Sequence, residues 1–134
     1  MSIDILLVDD DEDLRFALTQ LLEDEGYAVE ALPGADTLVE VIESRRPGLV
    51  FLDLSMEAFD VADTARQLEE KGLLSSSHIV VLSGRDDASE VTREHGFHGT
   101  LPKPFDLERL LALVESTLAR RRAQGSAHEN QVHP

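Results

Sequence analysis

Cysteine and tryptophan are absent from the 134 residues, and one tyrosine and five phenylalanines are the only aromatic residues. The lack of cysteine excludes disulfides, zinc–thiolate centres and a cysteine nucleophile. The scarcity of rings removes the stacking platforms on which single-stranded nucleic acids bind. No apolar run exceeds five residues, so we expect no membrane-spanning helix. The amino terminus lacks a basic segment followed by an apolar stretch, so no secretory signal is visible and a cytoplasmic protein is expected.

Basic residues are also few. Lys and Arg total 12 against 27 Asp and Glu, which gives a formal net charge of -15. A domain with this field repels a phosphate backbone, so we expect no direct contact with nucleic acid. The length and the 42% hydrophobic content predict one compact domain. We place it at residues 1–119, because residues 120–134 have almost no apolar content and are predicted to form a disordered tail or a truncated linker.

Short apolar runs alternate with segments of helical spacing along this domain. The runs predict strands at residues 3–8, 27–32, 49–52, 79–82 and 97–101. Apolar residues spaced three and four apart predict helices near residues 14–22, 38–42, 61–71, 87–94 and 107–118. This alternation predicts an α/β fold with a parallel sheet and helices on both faces, because parallel strands need crossover connections. In such a doubly wound sheet, the ligand crevice lies outside the carboxyl ends of the strands.

Four of the five predicted strands run into a charged or hydroxyl side chain. Asp9 and Asp10 follow the first strand, Asp53 follows the third, Ser83 the fourth and Lys103 the fifth. Since parallel strands end at the same edge of a sheet, the fold is expected to gather these side chains into one pocket.

The acidic residues of this pocket need a counter-charge. An acidic run at the start of a helix is favourable by itself, which accounts for residues 11–13. It does not account for Asp9, Asp10 and Asp53, because like charges at one sheet edge repel each other. Lys103 balances only one of the three carboxylates. A divalent cation with oxygen ligands, such as Mg2+, is the natural complement.

The motifs at these strand ends resemble those of a known family. They read LVDD at residues 7–10, LDLSM at 52–56, LSG at 82–84 and KPF at 103–105. Their order and spacing resemble the receiver domain of bacterial two-component response regulators, and the match covers residues 3–119. The resemblance implies a flavodoxin-like doubly wound five-stranded parallel sheet of order 2-1-3-4-5. It also implies a phosphoacceptor domain that is not an enzyme beyond its own phosphorylation and dephosphorylation.

The resemblance implies a metal site and a nucleophile. Asp53 would be the phosphoacceptor, whose carboxylate attacks phosphorus and becomes an aspartyl-phosphate. Asp9, Asp10 and Asp53, together with the backbone carbonyl of Ser55, would bind Mg2+.

Two further residues take roles from the same resemblance. Lys103 would place a positive charge beside the phosphoryl group, and Ser83 would donate a hydrogen bond to that group once it is in place. The resemblance also suggests a cis peptide bond between Lys103 and Pro104, since the cis form is accessible mainly before proline.

The partners implied are proteins. The phosphoryl group would come from a sensor histidine kinase or a histidine phosphotransfer protein, and the signal would pass to a downstream protein target or an output domain. A homodimer through the fourth helix, the fifth strand and the fifth helix is a further expectation. Neither nucleic acid nor a membrane is an expected partner of this domain.

The sequence departs from the family pattern at several positions. In the loop after Asp53, Glu57 replaces a common proline and Val61 replaces a common glycine, which puts the loop conformation in doubt. Thr100 stands where the family usually has a switch aromatic. His98, two residues earlier, is a candidate substitute for that ring.

Two other functions fit part of these observations. The departures at Glu57, Val61 and Thr100 favour a pseudo-receiver that docks partners without phosphorylation. The acidic run after the first strand also resembles a haloacid-dehalogenase-like phosphatase. In that family, however, the later acidic pair follows the lysine, whereas Asp86 and Asp87 precede Lys103.

Overall fold

The computed structural model describes the backbone of residues 2–132 and the side chains of residues 2–123. Within these residues, five strands alternate with five helices: β1 (Ile5–Val8), α1 (Glu12–Asp24), β2 (Val29–Leu32), α2 (Leu38–Arg45), β3 (Leu49–Asp53), α3 (Val61–Glu70), β4 (His78–Ser83), α4 (Ala88–Glu94), β5 (Gly99–Pro102) and α5 (Leu107–Val132). The strands pair in parallel in the order β2-β1-β3-β4-β5. The predicted fold class and strand order are confirmed.

The central strands are apolar because helices cover both faces of the sheet. All four residues of β1 are buried, as are all five of β3. Leu6 and Val8 pack in the layer formed with α2 and α3, whereas Ile5 and Leu7 pack in the layer formed with α1 and α5. Each large aliphatic side chain buried in this way contributes roughly 1.5–3 kcal/mol. The two layers hold β1 and β3 side by side, so their carboxyl ends are fixed next to each other.

Helix ends follow local chemistry that the sequence displays. Asp11 caps α1, where its carboxylate accepts a hydrogen bond from the backbone N of Leu14 at 3.2 Å. At the start of α5, the Asp106 carboxylate accepts from the backbone N of Glu108 at 2.9 Å. Gly26 follows α1 with a φ of 95°, a conformation that glycine adopts without steric cost. These features set where α1 begins and ends and where α5 begins.

The first two strands are shorter than predicted. They begin at Ile5 and Val29, each two residues after the predicted start. Between them, the Asp4 carboxylate accepts the backbone N–H of Ala28 at 2.8 Å. This side-chain bond takes a donor that would otherwise extend the parallel ladder.

Helix α5 extends past the predicted domain boundary. It continues to Val132, so the predicted tail is helical over residues 120–132, because Ala, Arg, Gln and Glu favour a helix there. Arg121 donates a hydrogen bond to the backbone carbonyl of Ser76, which attaches this part of α5 to the domain. The domain boundary at residue 119 stays a prediction, and residues 133 and 134 lie outside the described residues. Neither α5 nor any other helix in the described chain is long and apolar enough to cross a membrane.

Gly48 lies just before β3, where α5 passes close to the backbone. A Cβ atom at this position would stand 2.8 Å from Cδ2 of Leu118, which is closer than van der Waals contact allows. The missing side chain therefore lets α5 rest directly on the start of β3.

A histidine pair lies at the amino ends of β4 and β5. The rings of His78 and His98 stack with centroids 4.8 Å apart, and Nδ1 of His98 accepts from the backbone N of Ile79 at 2.9 Å. Burial, the neighbouring His98 and the charges of Arg120 and Arg121 lower the pKa of His78 to about 4. Burial also lowers the pKa of His98. The pair is therefore neutral at physiological pH.

We expect mild acid to destabilise the domain through this pair. The unfolded chain binds protons on His78 near the ordinary pKa of about 6.5, whereas the folded chain does so near pH 4. The stability that the pair contributes is complete above about pH 6.5 and is lost as the pH falls from there toward 4. Urea unfolding at about pH 7.5 and about pH 5.5 measures the loss. The double variant His78→Gln, His98→Gln should lose less stability over this interval, and an equal loss in both proteins would contradict the assignment.

Candidate functional site

The predicted site residues meet at the carboxyl edge of the sheet. Asp9 directly follows β1, Asp53 ends β3, Ser83 ends β4 and Lys103 directly follows β5. These four strands are consecutive neighbours in the sheet, so their last residues form one edge. The sheet thereby brings together side chains that are as much as 94 positions apart in sequence.

Lys103 bridges the two buried aspartates. Its Nζ lies 2.8 Å from Oδ2 of Asp9 and 3.5 Å from Oδ1 of Asp53, and both aspartate side chains are fully buried. Burial, the largest single influence, lowers the pKa of Lys103. The hydrogen bond that Lys103 donates to Asp9 and the charges of Asp53 and Asp9 together raise that pKa above its ordinary value. The ammonium is therefore charged at neutral pH. The peptide bond between Lys103 and Pro104 is cis, as predicted.

The two carboxylate oxygens of Asp53 have different surroundings. Oδ1 accepts hydrogen bonds from the backbone N of Ser55 at 2.9 Å and from its hydroxyl at 2.7 Å. Oδ2 is buried and has no hydrogen-bond partner among the described residues. Leaving a buried carboxylate oxygen without a partner is costly. Oδ2 is thus the atom of this pocket at which a ligand or a reacting group would complete the site.

Three carboxylates surround this position. Asp9, Asp10 and Asp53 each offer one oxygen, and these oxygens all lie within 4.8 Å of one another. Asp10 is exposed whereas the other two are buried, so the cluster opens to solvent on one side. Three negative charges face the single ammonium of Lys103. Hard oxygen donors, an excess of negative charge and an unpartnered oxygen fit a Mg2+ ion, which takes one or two carboxylates and keeps several waters.

Two contacts at the site were missed by sequence reasoning. Only the backbone carbonyl of Ser55 was predicted to act, yet its hydroxyl is bonded to Asp53. A serine two positions after an aspartate is typical of a side-chain-closed turn and could have indicated this contact. Arg15 donates through Nη1 to the backbone carbonyl of Asp9 at 2.8 Å. Nothing in the sequence pattern singles out this arginine, because the contact depends on how α1 is rotated.

Ser83 is buried, with 3% of its surface exposed. Its Oγ accepts a hydrogen bond from the backbone N of Arg85 at 3.0 Å. The hydroxyl is therefore engaged with the loop after β4, while Oδ2 of Asp53 has no partner in the described residues.

The proposed substitution of His98 for a switch aromatic is not supported. His98 lies before the amino end of β5, stacked on His78, whereas Ser83 lies at the opposite end of β4. Thr100 instead borders an open cleft of about 260 Å3 shared with Ser83 and Arg109. A threonine side chain is too small to fill this space.

The loop after Asp53 forms without the family's proline and glycine. Ala58 adopts a φ of 55°, a left-handed conformation that is uncommon for residues other than glycine. Asp60 caps α3, which begins at Val61. Glu57 is exposed and does not belong to the three-carboxylate cluster.

Fold and site together define a flavodoxin-like α/β protein with an acidic pocket suited to a divalent cation. Residues 5–115 match the family model of the response regulator receiver domain. The chain belongs to this family of two-component signalling proteins. The acidic run after β1 is therefore that of a receiver domain and not that of a haloacid-dehalogenase-like phosphatase.

Curated relatives agree with this family. The chain is 37% identical to the response regulator MprA of Mycobacterium bovis over 129 residues, which are 95% of this chain and 55% of that protein. It is 38% identical to MprA of Mycobacterium ulcerans over 134 residues, which are 98% of this chain and 57% of that protein. The chain thus spans little more than half the length of these relatives.

Solved structures show the same fold. A response regulator signal receiver domain from Bermanella marisrubri superposes with a TM-score of 0.77 at 29% identity, covering 88% of this chain and 99% of that one. The chemotaxis protein CheY4 of Vibrio cholerae superposes with a TM-score of 0.75 at 21% identity, covering 87% of this chain and 99% of that one.

Proposed function

We propose that this receiver domain accepts a phosphoryl group on Oδ2 of Asp53 from a phosphohistidine of a sensor histidine kinase or a histidine phosphotransfer protein. The observation that carries the proposal is the unequal pair of Asp53 oxygens. Ser55 engages Oδ1 through two hydrogen bonds, which holds the carboxylate in place, and Oδ2 has no partner within the described part of the chain. A positioned nucleophile with one free oxygen is what an in-line displacement requires.

The transfer needs no reactant other than the Asp53 carboxylate and the phosphohistidine. Oδ2 of Asp53 forms a bond to phosphorus as the bond from phosphorus to the histidine nitrogen breaks, and the electron pair of that bond stays on the imidazole. Lys103, already charged beside Asp53, stabilises negative charge on the phosphoryl oxygens. Mg2+, bound by Asp9, Asp10, Asp53 and the carbonyl of Ser55, would neutralise the rest of that charge.

The same proposal covers signalling after transfer. Ser83 moves its hydroxyl toward the new phosphoryl group, and the change passes to a downstream protein target or an output domain, with a homodimer through α4, β5 and α5 as one form of the active state. A cytoplasmic location, expected from the sequence, belongs to the proposal as well.

A direct test is intact-mass measurement after incubation with a small phosphodonor such as acetyl phosphate. A gain of one phosphoryl group that requires Mg2+ and maps to Asp53 supports the proposal. The absence of any gain, with the protein folded, would favour the phosphorylation-independent docking module suggested by Glu57, Val61 and Thr100.

We expect the conformational response to be concentrated between β4 and β5. Thr100 has no ring to rotate, so the two-state element lies in the loop that Ser83 contacts. Hydrogen exchange measured with and without beryllofluoride, a phosphoryl mimic, should change most in residues 84–95 and little in residues 97–101. A dominant change in residues 97–101 would refute this location of the switch.

A further inference from the structure

Arg85 connects Ser83 to the start of α4. Its backbone N donates to Ser83 Oγ at 3.0 Å, and its carbonyl accepts from the backbone N of Ala88 at 3.4 Å. Its guanidinium donates through Nε and Nη2 to the two carboxylate oxygens of Asp87, at 2.9 Å and 2.7 Å. We name this bidentate ion pair the Arg85–Asp87 clip. One residue thus holds the turn at its backbone and at its side chain.

In the clip, the Asp87 carboxylate binds Arg85 instead of capping the amino terminus of α4. Asp87 is the residue that precedes α4, yet among the described residues its side chain makes no capping hydrogen bond. The bidentate fork with Arg85 replaces the cap, and fork geometry is the kind that makes an exposed ion pair persist. The hydrogen bonds from Arg85 hold the pKa of Asp87 below its ordinary value, so the clip is charged at neutral pH.

The turn held by the clip opposes the movement that signalling requires. Ser83 Oγ is bonded to the Arg85 N–H, and it must leave or share that donor to reach a phosphoryl group on Asp53. The main chain before the turn is anchored elsewhere, because the carbonyl of Ser83 accepts from the backbone N of Lys103 at 3.0 Å. The residues from Arg85 onward are therefore the part of the loop that the clip holds.

Resting on the proposed phosphorylation of Asp53, we propose that Arg85 and Asp87 are positioning residues: their clip holds the Arg85 N–H against Ser83 Oγ and so favours the unphosphorylated arrangement of the loop after β4. Breaking the clip lowers the cost of moving Ser83. By linkage, it raises the affinity for a phosphoryl mimic by the same factor.

The test is a beryllofluoride titration of the whole chain in excess Mg2+, followed by two-dimensional NMR. Arg85→Ala and Asp87→Ala should each bind the mimic about two- to fivefold more tightly than the parent. Arg85→Ala is the sharper variant, because simple electrostatics predicts the opposite sign when a cation is removed near an anion site. Weaker or unchanged binding by Arg85→Ala would overturn the proposal.

Two controls isolate the mechanism. Asp86→Ala removes a carboxylate from the same loop, and Asp86 has no hydrogen bond or ion pair among the residues described; it should tighten binding less than Asp87→Ala does. In a Ser83→Ala background, Arg85→Ala should give no further gain, because the clip acts through the Ser83 hydroxyl. A full gain in that background would show a merely structural role and would also refute the proposal.

Failure of the underlying function gives a different result. If the parent did not bind beryllofluoride, or if Asp53→Asn bound it equally well, the phosphoacceptor assignment would be wrong. If the parent bound it through Asp53 and the clip variants matched the parent, only the role of Arg85 and Asp87 would be wrong.

Discussion

Asp53→Asn is expected to abolish phosphoryl transfer from acetyl phosphate while leaving the protein folded. The amide keeps an oxygen that can accept both hydrogen bonds from Ser55, but it lacks the charged nucleophilic oxygen that Oδ2 supplies. The substitution also removes one of three carboxylates that lie within 4.8 Å of one another, so its melting temperature should equal or exceed that of the parent. Intact mass and a thermal melt measure the two quantities.

Metal removal is the matched control for this result. Treatment of the parent with EDTA should suppress the mass gain, and restoring Mg2+ should recover it. Without a metal ion, the excess of three carboxylates over one ammonium repels the negative charge of an incoming phosphoryl group. Phosphorylation of Asp53→Asn at the parental rate, or indifference to EDTA, would show that the site is assigned wrongly.

Lys103→Ala and Ser83→Ala should affect different steps. Lys103→Ala removes the ammonium beside the developing phosphoryl charge, and we expect transfer to slow about tenfold or more. Ser83→Ala should be phosphorylated at close to the parental rate, since its hydroxyl acts after transfer. It should nevertheless lose most of the hydrogen-exchange response in residues 84–95.

The two variants are compared by phosphorylation rate and by exchange on the phosphorylated protein. Lys103→Ala also removes the partner of the buried Asp9 carboxylate, so its melting curve is recorded at the same Mg2+ concentration. Similar losses of transfer in both folded variants would contradict the separation of roles.

The order of helices and strands could be predicted because the buried face of each helix and strand requires apolar residues at a characteristic spacing. The wholly buried β1 and β3 appear as unbroken apolar runs, and α5 appears as a stripe of leucine and valine. The site residues follow from the same reasoning, since the fold places each strand end at one edge. The position after a strand was enough to predict which side chains meet there: Asp9, Asp53, Ser83 and Lys103.

Side-chain orientation set the limit of prediction. Rotamers and loop geometry, which residue spacing does not encode, determine that Ser55 binds one oxygen of Asp53. The same holds for the bond of Arg85 to Asp87 rather than to solvent. His98 failed as a substitute ring because strand alternation gives a face but not the end of the strand at which a contact forms. The extent of α5 was missed because helix propensity without apolar periodicity resembles a polar linker.

The close approach of α5 to Gly48 limits which residues this position accepts. A methyl group there would stand 2.8 Å from Cδ2 of Leu118, so a replacement requires a shift of the Leu118 side chain on α5. The shift arises at the start of β3, whereas Asp53 ends the same strand. We therefore expect the packing of Leu118 on the start of β3, and not the chemistry of Asp53, to limit which residues position 48 accepts.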